Sequence, residues 1–382
     1  MLTIYNDKSM IYIITILIVV IVAELAAYFL IKYAKKGLLE KKIAAFQSMP
    51  YDFHPYLSFV YKGNGYIPED QSKTLLLNRD KNLSSYGIHL NSIGFGSGPD
   101  GMRNVELKKP EGVIARICCI GESTTASYIN FNNIKYSYPN ELEKTLNEEL
   151  GPGKVEVVNF GQGSWSSVEI MMNMILRVCD LRPDYVIMLL GYNDIPIALS
   201  PDFKSDYSHA KINIYKYQYS IQRLSRHLSS RIYLIKIGAL LSYRWLLNIS
   251  NDIGAYLNTS KPDYDLSFDN LAVFRRNIEV IVGVCQSRNM RPVLLTYPYY
   301  SNRFNKHIKS AIVHKRALDV VNEHIRGVAK SSGAMLIDAA NEFPLKEGNF
   351  TDSMHYSEEG TMALAELVHV KLIASLKSET GI

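Results

Sequence analysis

Hydrophobic positions follow two patterns along the chain: one long run near the start, then shorter runs that alternate with stretches of helical period. The long run covers residues 11–31 and contains one charge, Glu24. About 20 apolar residues let a helix cross the roughly 30 Å hydrocarbon core of a bilayer. A secretory signal would have a shorter apolar core and a cleavage site between small residues, for which residues 24–28 are poorly suited. The pattern therefore predicts an uncleaved, single-pass anchor.

Charged residues within and beside this run indicate how the predicted helix is oriented in a membrane. Glu24 has two interpretations. Its side chain either contacts another helix in the bilayer, or lies near one interface, where it is protonated or snorkels to water. We favour the second interpretation. Lys8 precedes the run, whereas five lysines follow it: Lys32, Lys35, Lys36, Lys41 and Lys42. The positive-inside bias would place the large domain in the cytoplasm.

The shorter apolar runs predict an alternation of strands and helices. Strands are expected at Val113–Ile120, Lys154–Phe160, Asp184–Leu190, Pro292–Tyr297 and Ala334–Asp338. Helices are expected at Tyr138–Leu150, Ser166 to about Asp180, Phe268–Gln286, Ile308–Ala329 and Ser357–Leu376. Nearly continuous apolar strands are typical of a parallel sheet that is covered on both faces. The alternation predicts an open, doubly wound α/β sheet.

The remaining stretches suggest how the chain is divided. We expect an anchor with its flanks at residues 1–36, a stem and small β-rich lead-in at 37–110, and the main domain at 111–382. A long insertion at about residues 198–265 interrupts the main domain and carries apolar residues near helical spacing. It is interpreted as a helical cap that touches the membrane or the substrate, or as a helical hairpin on the sheet edge. Charges at Arg231, Lys236 and Arg244 break it too often for a second span.

Composition narrows the functional class. Of 382 residues, 47% are hydrophobic and 21% charged, with a net charge of +5, which fits a globular core plus one membrane-like segment. No basic block or aromatic-basic stripe indicates a nucleic-acid partner. The four cysteines give no disulfide framework, and Cys118 and Cys119 are predicted core residues. The histidines show no metal-ligand spacing, and no phosphate-binding glycine loop is present, so neither a metal nor another cofactor is expected.

Four polar elements carry the candidate chemistry. They are Gly121-Glu122-Ser123, the strand and loop at 157–164, Gly191-Tyr192-Asn193-Asp194, and Asp352-Ser353-Met354-His355. The first three follow predicted strands directly. In a doubly wound sheet the carboxyl ends of the strands face one crevice, so these loops should meet there.

Each element meets one requirement of nucleophilic catalysis. A serine hydroxyl such as that of Ser123 needs a base, which His355 can provide. Asp352 lies three residues before the histidine and can fix its tautomer. A developing oxyanion needs donors, and three are available: the Asn193 side-chain amide, the Ser123 backbone N–H, and a backbone N–H in the Gly163–Ser164 turn.

With these four elements the chain resembles the SGNH (GDSL-like) hydrolase family over about residues 112–378, apart from the insertion. The resemblance implies a flavodoxin-like, three-layer α/β/α fold with a five-stranded parallel sheet. It also implies Ser123 as nucleophile, His355 as base and Asp352 as its partner, with oxyanion donors at Asn193 and the second loop. In two departures from the family pattern, Glu122 replaces the usual Asp and Ser164 occupies the position of the donor Gly.

Upstream residues sharpen the resemblance. Pro55-Tyr56-Leu57, Asn91-Ser92-Ile93-Gly94-Phe95 and Glu122-Ser123-Thr124-Thr125 are similar to an anchored bacterial or archaeal branch of the family. Members of that branch often accompany surface-polysaccharide genes, and exported glycans would place the domain outside the cell. The charge pattern and the resemblance thus disagree, and the side of the membrane stays open.

Three functional hypotheses follow. The first is a membrane-anchored serine esterase that removes an O-acyl group, with acetyl as first choice, from a glycan or lipid-linked saccharide. The second is an O-acyltransferase that uses the same Ser123–His355–Asp352 site on a polysaccharide acceptor. The third is a glycan-binding scaffold with an inactive site, against which the intact Ser123, Asn193, Asp352 and His355 argue. The acyl group, the alcohol part and the oligomeric state are not determined by the sequence.

Overall fold

The structure, a computed structural model, describes a defined part of the chain. The described residues are 7–33, 51–52, 54, 56–57, 60–61, 66–67, 88–89, 105–127, 137–200, 202–210, 227, 230–238, 267–300 and 308–380. Residues 37–50 of the predicted stem and residues 91–95, which support the family resemblance, lie outside them. The chain forms two compact units, one of residues 1–49 with 212–258 and one of residues 50–211 with 259–382. The three-part division expected from the sequence stays a prediction.

The first unit contains the long apolar helix α1 (Asp7–Tyr33) and a short helix at residues 233–238. The 24-residue stretch Met10–Tyr33 is long and apolar enough to cross a bilayer, and it is the one such helix among the residues described. Glu24 accepts hydrogen bonds from the backbone of the 233–238 helix. The contact of Glu24 with another helix, the alternative to the favoured interpretation, is therefore observed, whereas a protonated or snorkelling side chain near one interface stays a prediction.

The second unit begins with four two-residue strands, in agreement with the predicted short strands of the lead-in. They are β1 (Tyr51–Asp52), β2 (Val60–Tyr61), β3 (Tyr66–Ile67) and β4 (Ile88–His89). Strand β1 pairs with β2, and β3 pairs with β4, both antiparallel.

A five-stranded parallel sheet forms the centre of this unit. Its strands are β5 (Ala115–Gly121), β6 (Val155–Gly161), β7 (Tyr185–Leu189), β8 (Arg291–Leu295) and β9 (Met335–Ile337). The order is β6-β5-β7-β8-β9, which confirms the predicted flavodoxin-like sheet. Every residue of β5, β6 and β7 is buried, as the continuous apolar runs predicted.

Helices cover both faces of the sheet. They are α2 (Ser123–Ala126), α3 (Tyr138–Leu150), α4 (Ser167–Asn173), α5 (Asp194–Ala198), α6 (Ala272–Ser287), α7 (Ile308–Ser332), α8 (Ala339–Glu342) and α9 (Glu358–Thr380). A π-helical turn (Met174–Val178) and 3-10 turns (Cys179–Leu181, Asp269–Leu271, Glu347–Asn349) complete the list. Helix α3 packs against α9, whereas α6 packs against α4 and α7.

The crossing point of the sheet positions the site. Strand β5 lies between β6 and β7. The strand order runs from β5 to β6 on one side and from β5 through β7 and β8 to β9 on the other, so it reverses direction at β5. Ligand crevices of open α/β sheets lie at the carboxyl ends of the strands at such a switch point. The loops after β5, β6 and β7 carry the first three polar elements to this edge.

Candidate active site

The turn after β5 requires a glycine at its start. A Cβ atom on Gly121 would lie 2.2 Å from Thr125 Oγ1 and 2.4 Å from the Leu189 carbonyl oxygen, so a larger residue would displace the backbone of β7. Glu122 follows in an extended conformation and Ser123 begins α2. The first N–H groups of a helix have no intrahelical partner, which leaves the Ser123 N–H free for use as a donor to substrate.

A hydrogen-bonded chain connects the first and fourth elements. Ser123 Oγ lies 2.7 Å from His355 Nε2, although 232 positions separate the two residues in sequence. His355 Nδ1 lies 2.7 Å from Asp352 Oδ2. The other carboxylate oxygen, Oδ1, accepts the backbone N–H groups of Met354 (2.9 Å) and His355 (2.8 Å). This arrangement holds a proton on Nδ1 and turns the Nε2 lone pair toward the serine hydroxyl.

The surroundings of Asp352 favour the charged form of its carboxylate. Burial raises the pKa of Asp352, but the hydrogen bond and charge of His355 and two backbone N–H groups outweigh burial, so the pKa lies below its usual value. Ser123 is 8% exposed, which shields its oxygen from bulk water while leaving it reachable from one side.

Contacts at the ends and in the middle of the loop that carries His355 hold this loop in place. An antiparallel bridge joins Phe350 to Tyr356, and the Tyr300 N–H donates to the Ser353 carbonyl at 2.9 Å. The Tyr300 and Phe350 rings stack with centroids 5.6 Å apart. Tyr300, in the segment after β8, thus helps to hold the loop of His355 in position opposite Ser123.

Glu122 connects the nucleophile turn to the loop of the third element. Its Oε1 accepts the backbone N–H groups of Gly191 (2.7 Å) and Asn193 (3.1 Å), and its Oε2 lies 3.3 Å from the latter nitrogen. The Asn193 side-chain amide donates to the Trp165 carbonyl at 2.8 Å. Because an amide nitrogen carries two hydrogens, the second one can serve an oxyanion.

The carboxyl of Glu122 is 1% exposed, and its surroundings disfavour ionisation. Burial and the neighbouring charge of Asp194 raise its pKa well above the usual value, against the backbone N–H groups, which lower it. The sequence showed Glu122 only as a substitute for Asp. Its role as the support of the Asn193 loop was missed because the partners lie about 70 residues away in sequence.

The side chain of Asp194 joins the same loop directly to α4 and to Tyr207, and through Ser167 to α6. Its carboxylate accepts the backbone N–H (2.9 Å) and the hydroxyl (2.5 Å) of Ser167, and the Tyr207 hydroxyl at 2.8 Å. Asn277 on α6 donates to the Ser167 hydroxyl at 2.8 Å. The sequence marked this aspartate only as the last residue of the third polar element, and nothing in it pointed to Tyr207 or Asn277.

The second element is fixed to the nucleophile turn by Asn159. Its side chain donates to the Thr125 carbonyl at 3.1 Å and accepts the Gly161 N–H at 2.9 Å. The Gly161 N–H is therefore engaged, and the Gly163–Ser164 turn follows it in the same loop. Ser164 is exposed and has a left-handed backbone with φ of 63°, a conformation that favours glycine.

Among the residues that the structure describes, no group of three or more His, Cys, Asp or Glu side chains could hold a metal ion. The arrangement places a serine hydroxyl beside an imidazole, a carboxylate behind the imidazole and an amide near the serine, which are the kinds of groups that acyl transfer requires.

Comparisons with known proteins agree with this chemistry. The model of the GDSL-like lipase/acylhydrolase family matches residues 119–363. No curated protein matches the chain.

Several solved structures are similar to the chain. A lipolytic protein of the G-D-S-L family from Desulfitobacterium hafniense shares 16% identity over 68% of this chain and 99% of its own, with a TM-score of 0.40. A lipase/acylhydrolase from Enterococcus faecalis shares 16% over 68% and 96%, with a TM-score of 0.42. An acetylxylan esterase from Geobacillus stearothermophilus shares 14% over 68% and 95%, with a TM-score of 0.42.

The family match spans more than half of the chain and includes the first, second, third and fourth polar elements. The chain therefore belongs to the GDSL-like lipase/acylhydrolase family and is an ester-bond hydrolase.

Proposed function

We propose that this hydrolase is a membrane-anchored serine esterase that removes an O-acyl group, with acetyl as first choice, from a glycan or a lipid-linked saccharide. The observation that carries the proposal is the continuous hydrogen-bonded chain from Ser123 Oγ through His355 to Asp352, with 2.7 Å at each side-chain contact. These distances are those at which a base takes the proton of a nucleophile in the attacking step.

In the first half-reaction, Ser123 Oγ attacks the ester carbonyl carbon and its proton passes to His355 Nε2. The carbonyl π pair moves to oxygen and produces a tetrahedral oxyanion. The carboxylate of Asp352 stabilises the imidazolium without taking its proton. His355 then returns the proton to the leaving alkoxide, the ester C–O bond breaks, the alcohol departs, and an acyl-serine remains.

In the second half-reaction, water attacks the acyl-serine. His355 takes a proton from the water as the new C–O bond forms, and gives it back to Ser123 Oγ as the acyl–serine bond breaks. The carboxylic acid leaves and the starting site is restored. The same histidine therefore acts once as base and once as acid in each half-reaction.

Three donors stabilise the oxyanion in this proposal: the Ser123 N–H, a backbone N–H of the Gly163–Ser164 turn, and the second hydrogen of the Asn193 amide. The amide is held on both sides, since its backbone N–H is bound by Glu122 and its side chain by the Trp165 carbonyl. Donors fixed before the reaction need no reorganisation as charge develops. Loss of one such donor typically lowers kcat by about 10²–10³-fold.

The membrane anchor and the glycan substrate, the other two parts of the proposal, are supported by features outside the active site. Helix α1 contains an apolar stretch of 24 residues, long enough for a bilayer. An esterase tethered at a membrane meets substrates that are themselves attached to the membrane or exported across it. The glycan part of the proposal is supported by the resemblance of this chain to anchored family members near surface-polysaccharide genes.

Replacement of the nucleophile tests the proposed mechanism. Ser123→Ala should abolish hydrolysis of p-nitrophenyl acetate and labelling by a fluorophosphonate probe, because the attacking oxygen is gone. Ser287→Ala changes an exposed serine at the end of α6 and should retain both activities. Undiminished turnover by Ser123→Ala would refute the assignment. Unchanged circular dichroism of the variant would show that any loss is chemical.

Product analysis distinguishes hydrolysis from acyl transfer. The two reactions share the acyl-serine and differ in whether water or a sugar hydroxyl attacks it. With an acetyl donor and an added glycan, free acetate alone is the expected result, and an acetylated glycan would favour the transferase. Protease accessibility of the large domain in intact cells would then determine which side of the membrane holds the substrate.

A further inference from the structure

The carboxylate of Glu24 holds part of the insertion against the apolar helix. Its two oxygens accept the backbone N–H groups of Tyr233 (2.5 Å) and Leu234 (2.9 Å). These residues belong to the stretch 230–238, which we call the insertion segment. Residues 212–258 and 1–49 fall in one compact unit, so the insertion is grouped with α1 and not with the sheet.

The position of Glu24 along α1 gives this contact a location relative to a membrane. At 1.5 Å per residue the glutamate lies about 14 Å before Tyr33, inside the stretch that would cross the hydrocarbon. A carboxylate at that depth needs fixed hydrogen-bond donors, and backbone N–H groups of the insertion segment need acceptors there as well. The contact satisfies both requirements at once.

Aromatic and basic side chains surround this contact on the side toward the end of α1. The Tyr28 ring meets the Tyr233 ring edge-on with centroids 5.0 Å apart. Lys32 donates to the Tyr28 hydroxyl at 2.9 Å, and Lys236 lies 4.8 Å above the Tyr233 ring. Tyrosines and lysines in this combination are typical of the interface between hydrocarbon and headgroups.

The insertion segment also exposes large apolar side chains. Ile232 is 49% exposed, and Leu234 and Ile235 are each 38% exposed. We call these three residues the apolar face. It adjoins the hydrogen bonds that join the segment to α1, whose own apolar stretch is 6% buried. The segment carries Arg231 and Lys236 and no acidic residue, so its charge matches anionic headgroups.

We propose that the insertion segment dips from the membrane interface into the adjoining hydrocarbon beside α1, with lipid acyl chains covering its apolar face and anionic headgroups meeting its basic side chains. Glu24 is the residue that fixes it there. This inference rests on the proposed anchoring by α1 and goes beyond it, since it makes the insertion a second membrane contact. Two such contacts bind a protein to a bilayer more firmly than one and restrict how the tethered domain can turn.

Lipid quenching of site-specific labels tests this placement. The full chain is reconstituted in vesicles of phosphatidylcholine and phosphatidylglycerol that contain doxyl-labelled lipid, and single cysteines at 18, 234 and 280 carry a bimane fluorophore. All four native cysteines are buried, so the introduced ones should react first. Ile18→Cys reports on α1, and Val280→Cys on α6 is a control whose residue is 43% exposed.

Quenching at Leu234→Cys should fall within about twofold of that at Ile18→Cys and several-fold above that at Val280→Cys. If only position 18 is quenched, the inference is wrong and the anchor stands; if position 18 is not quenched either, the anchor proposal fails too. A face covered by a second copy would give weak quenching at 234 together with a cross-linked dimer, which would also overturn the inference.

A second pair of variants tests the role of Glu24. Glu24→Leu removes the acceptor and should reduce quenching at position 234 several-fold while position 18 is unchanged. Glu24→Gln keeps one carbonyl oxygen and should restore at least part of the quenching. Equal quenching at 234 in Glu24→Leu and the parent chain would overturn the claim that this carboxylate holds the segment in place.

Discussion

The buried carboxyl of Glu122 offers the sharpest test of the electrostatics at this site. Burial and the charge of Asp194 raise its pKa, so the folded chain keeps a proton on it at pH values where the unfolded chain has lost that proton. Between the unfolded pKa of about 4.3 and the raised folded pKa, the native state binds more protons than the unfolded state. The Glu122 contribution to stability therefore falls as pH rises through this window, by up to about 1.4 kcal/mol per pH unit.

Glu122→Gln isolates that contribution. Glutamine has the same shape, keeps one oxygen to accept the Gly191 and Asn193 N–H groups that Oε1 accepts, and does not titrate. The free energy of unfolding of this variant, relative to the parent chain, should rise with pH above the unfolded pKa, with a slope of up to about 1.4 kcal/mol per pH unit, until the pH passes the raised folded pKa. Urea unfolding of the full chain in detergent micelles at each pH measures it.

Glu148→Gln is the matched control, because it makes the same change at an exposed position of α3. Its stability difference from the parent should not rise with pH in this window. A difference for Glu122→Gln that stays constant from pH 5 to pH 8 would refute the reasoning. It would mean that the N–H groups of Gly191 and Asn193 outweigh burial and keep Glu122 ionised.

Two further substitutions test the supports of the site. Asp352→Asn should lower kcat for p-nitrophenyl acetate by about 10⁴-fold, the loss that this change causes in a serine-protease triad through the wrong histidine tautomer. A loss under tenfold would contradict the role given to the His355–Asp352 contact. Tyr207→Phe removes one donor to Asp194 and should lower the free energy of unfolding by about 1.5–3 kcal/mol in urea, whereas an unchanged value would show that this hydrogen bond does not hold the Asn193 loop.

Elements with local signals were predictable from the sequence. Helix α3 was predicted with both of its ends, because Ser137 caps it, Pro139 stands in its first turn and Gly151 follows it. The helix expected from Ser166 begins with a capping box of Ser166 and Glu169, which is a local signal of the same kind. The meeting of the polar loops at one sheet edge was also predictable, because the alternation of strands and helices predicts a parallel sheet. In the structure Ser123 and His355 lie together at this edge.

Features that depend on register or long-range contact were not predictable. Arg116 lies in a buried strand that was expected to be apolar, and its charge is paired with Glu156 at 2.5 Å because strand register sets the two residues side by side. The helix expected to run to Asp180 instead changes to a π-helical turn at Met174–Val178. The partners of Glu24 lie more than 200 residues away, which no local pattern can reveal.

Two buried acidic side chains hold the loop that carries Asn193 in place. Glu122 binds the backbone of the Asn193 loop from the nucleophile side, and Asp194 binds the same loop to Ser167 and Tyr207 from the other side. In the described part of the chain, these hydrogen bonds involve neither the Ser123 hydroxyl nor the His355 ring. A change at Tyr207 therefore acts first on the loop that carries Asn193, the proposed oxyanion donor. Loss of the Tyr207 hydroxyl should then weaken stabilisation of the transition state, while the Ser123–His355 contact that transfers the proton is kept.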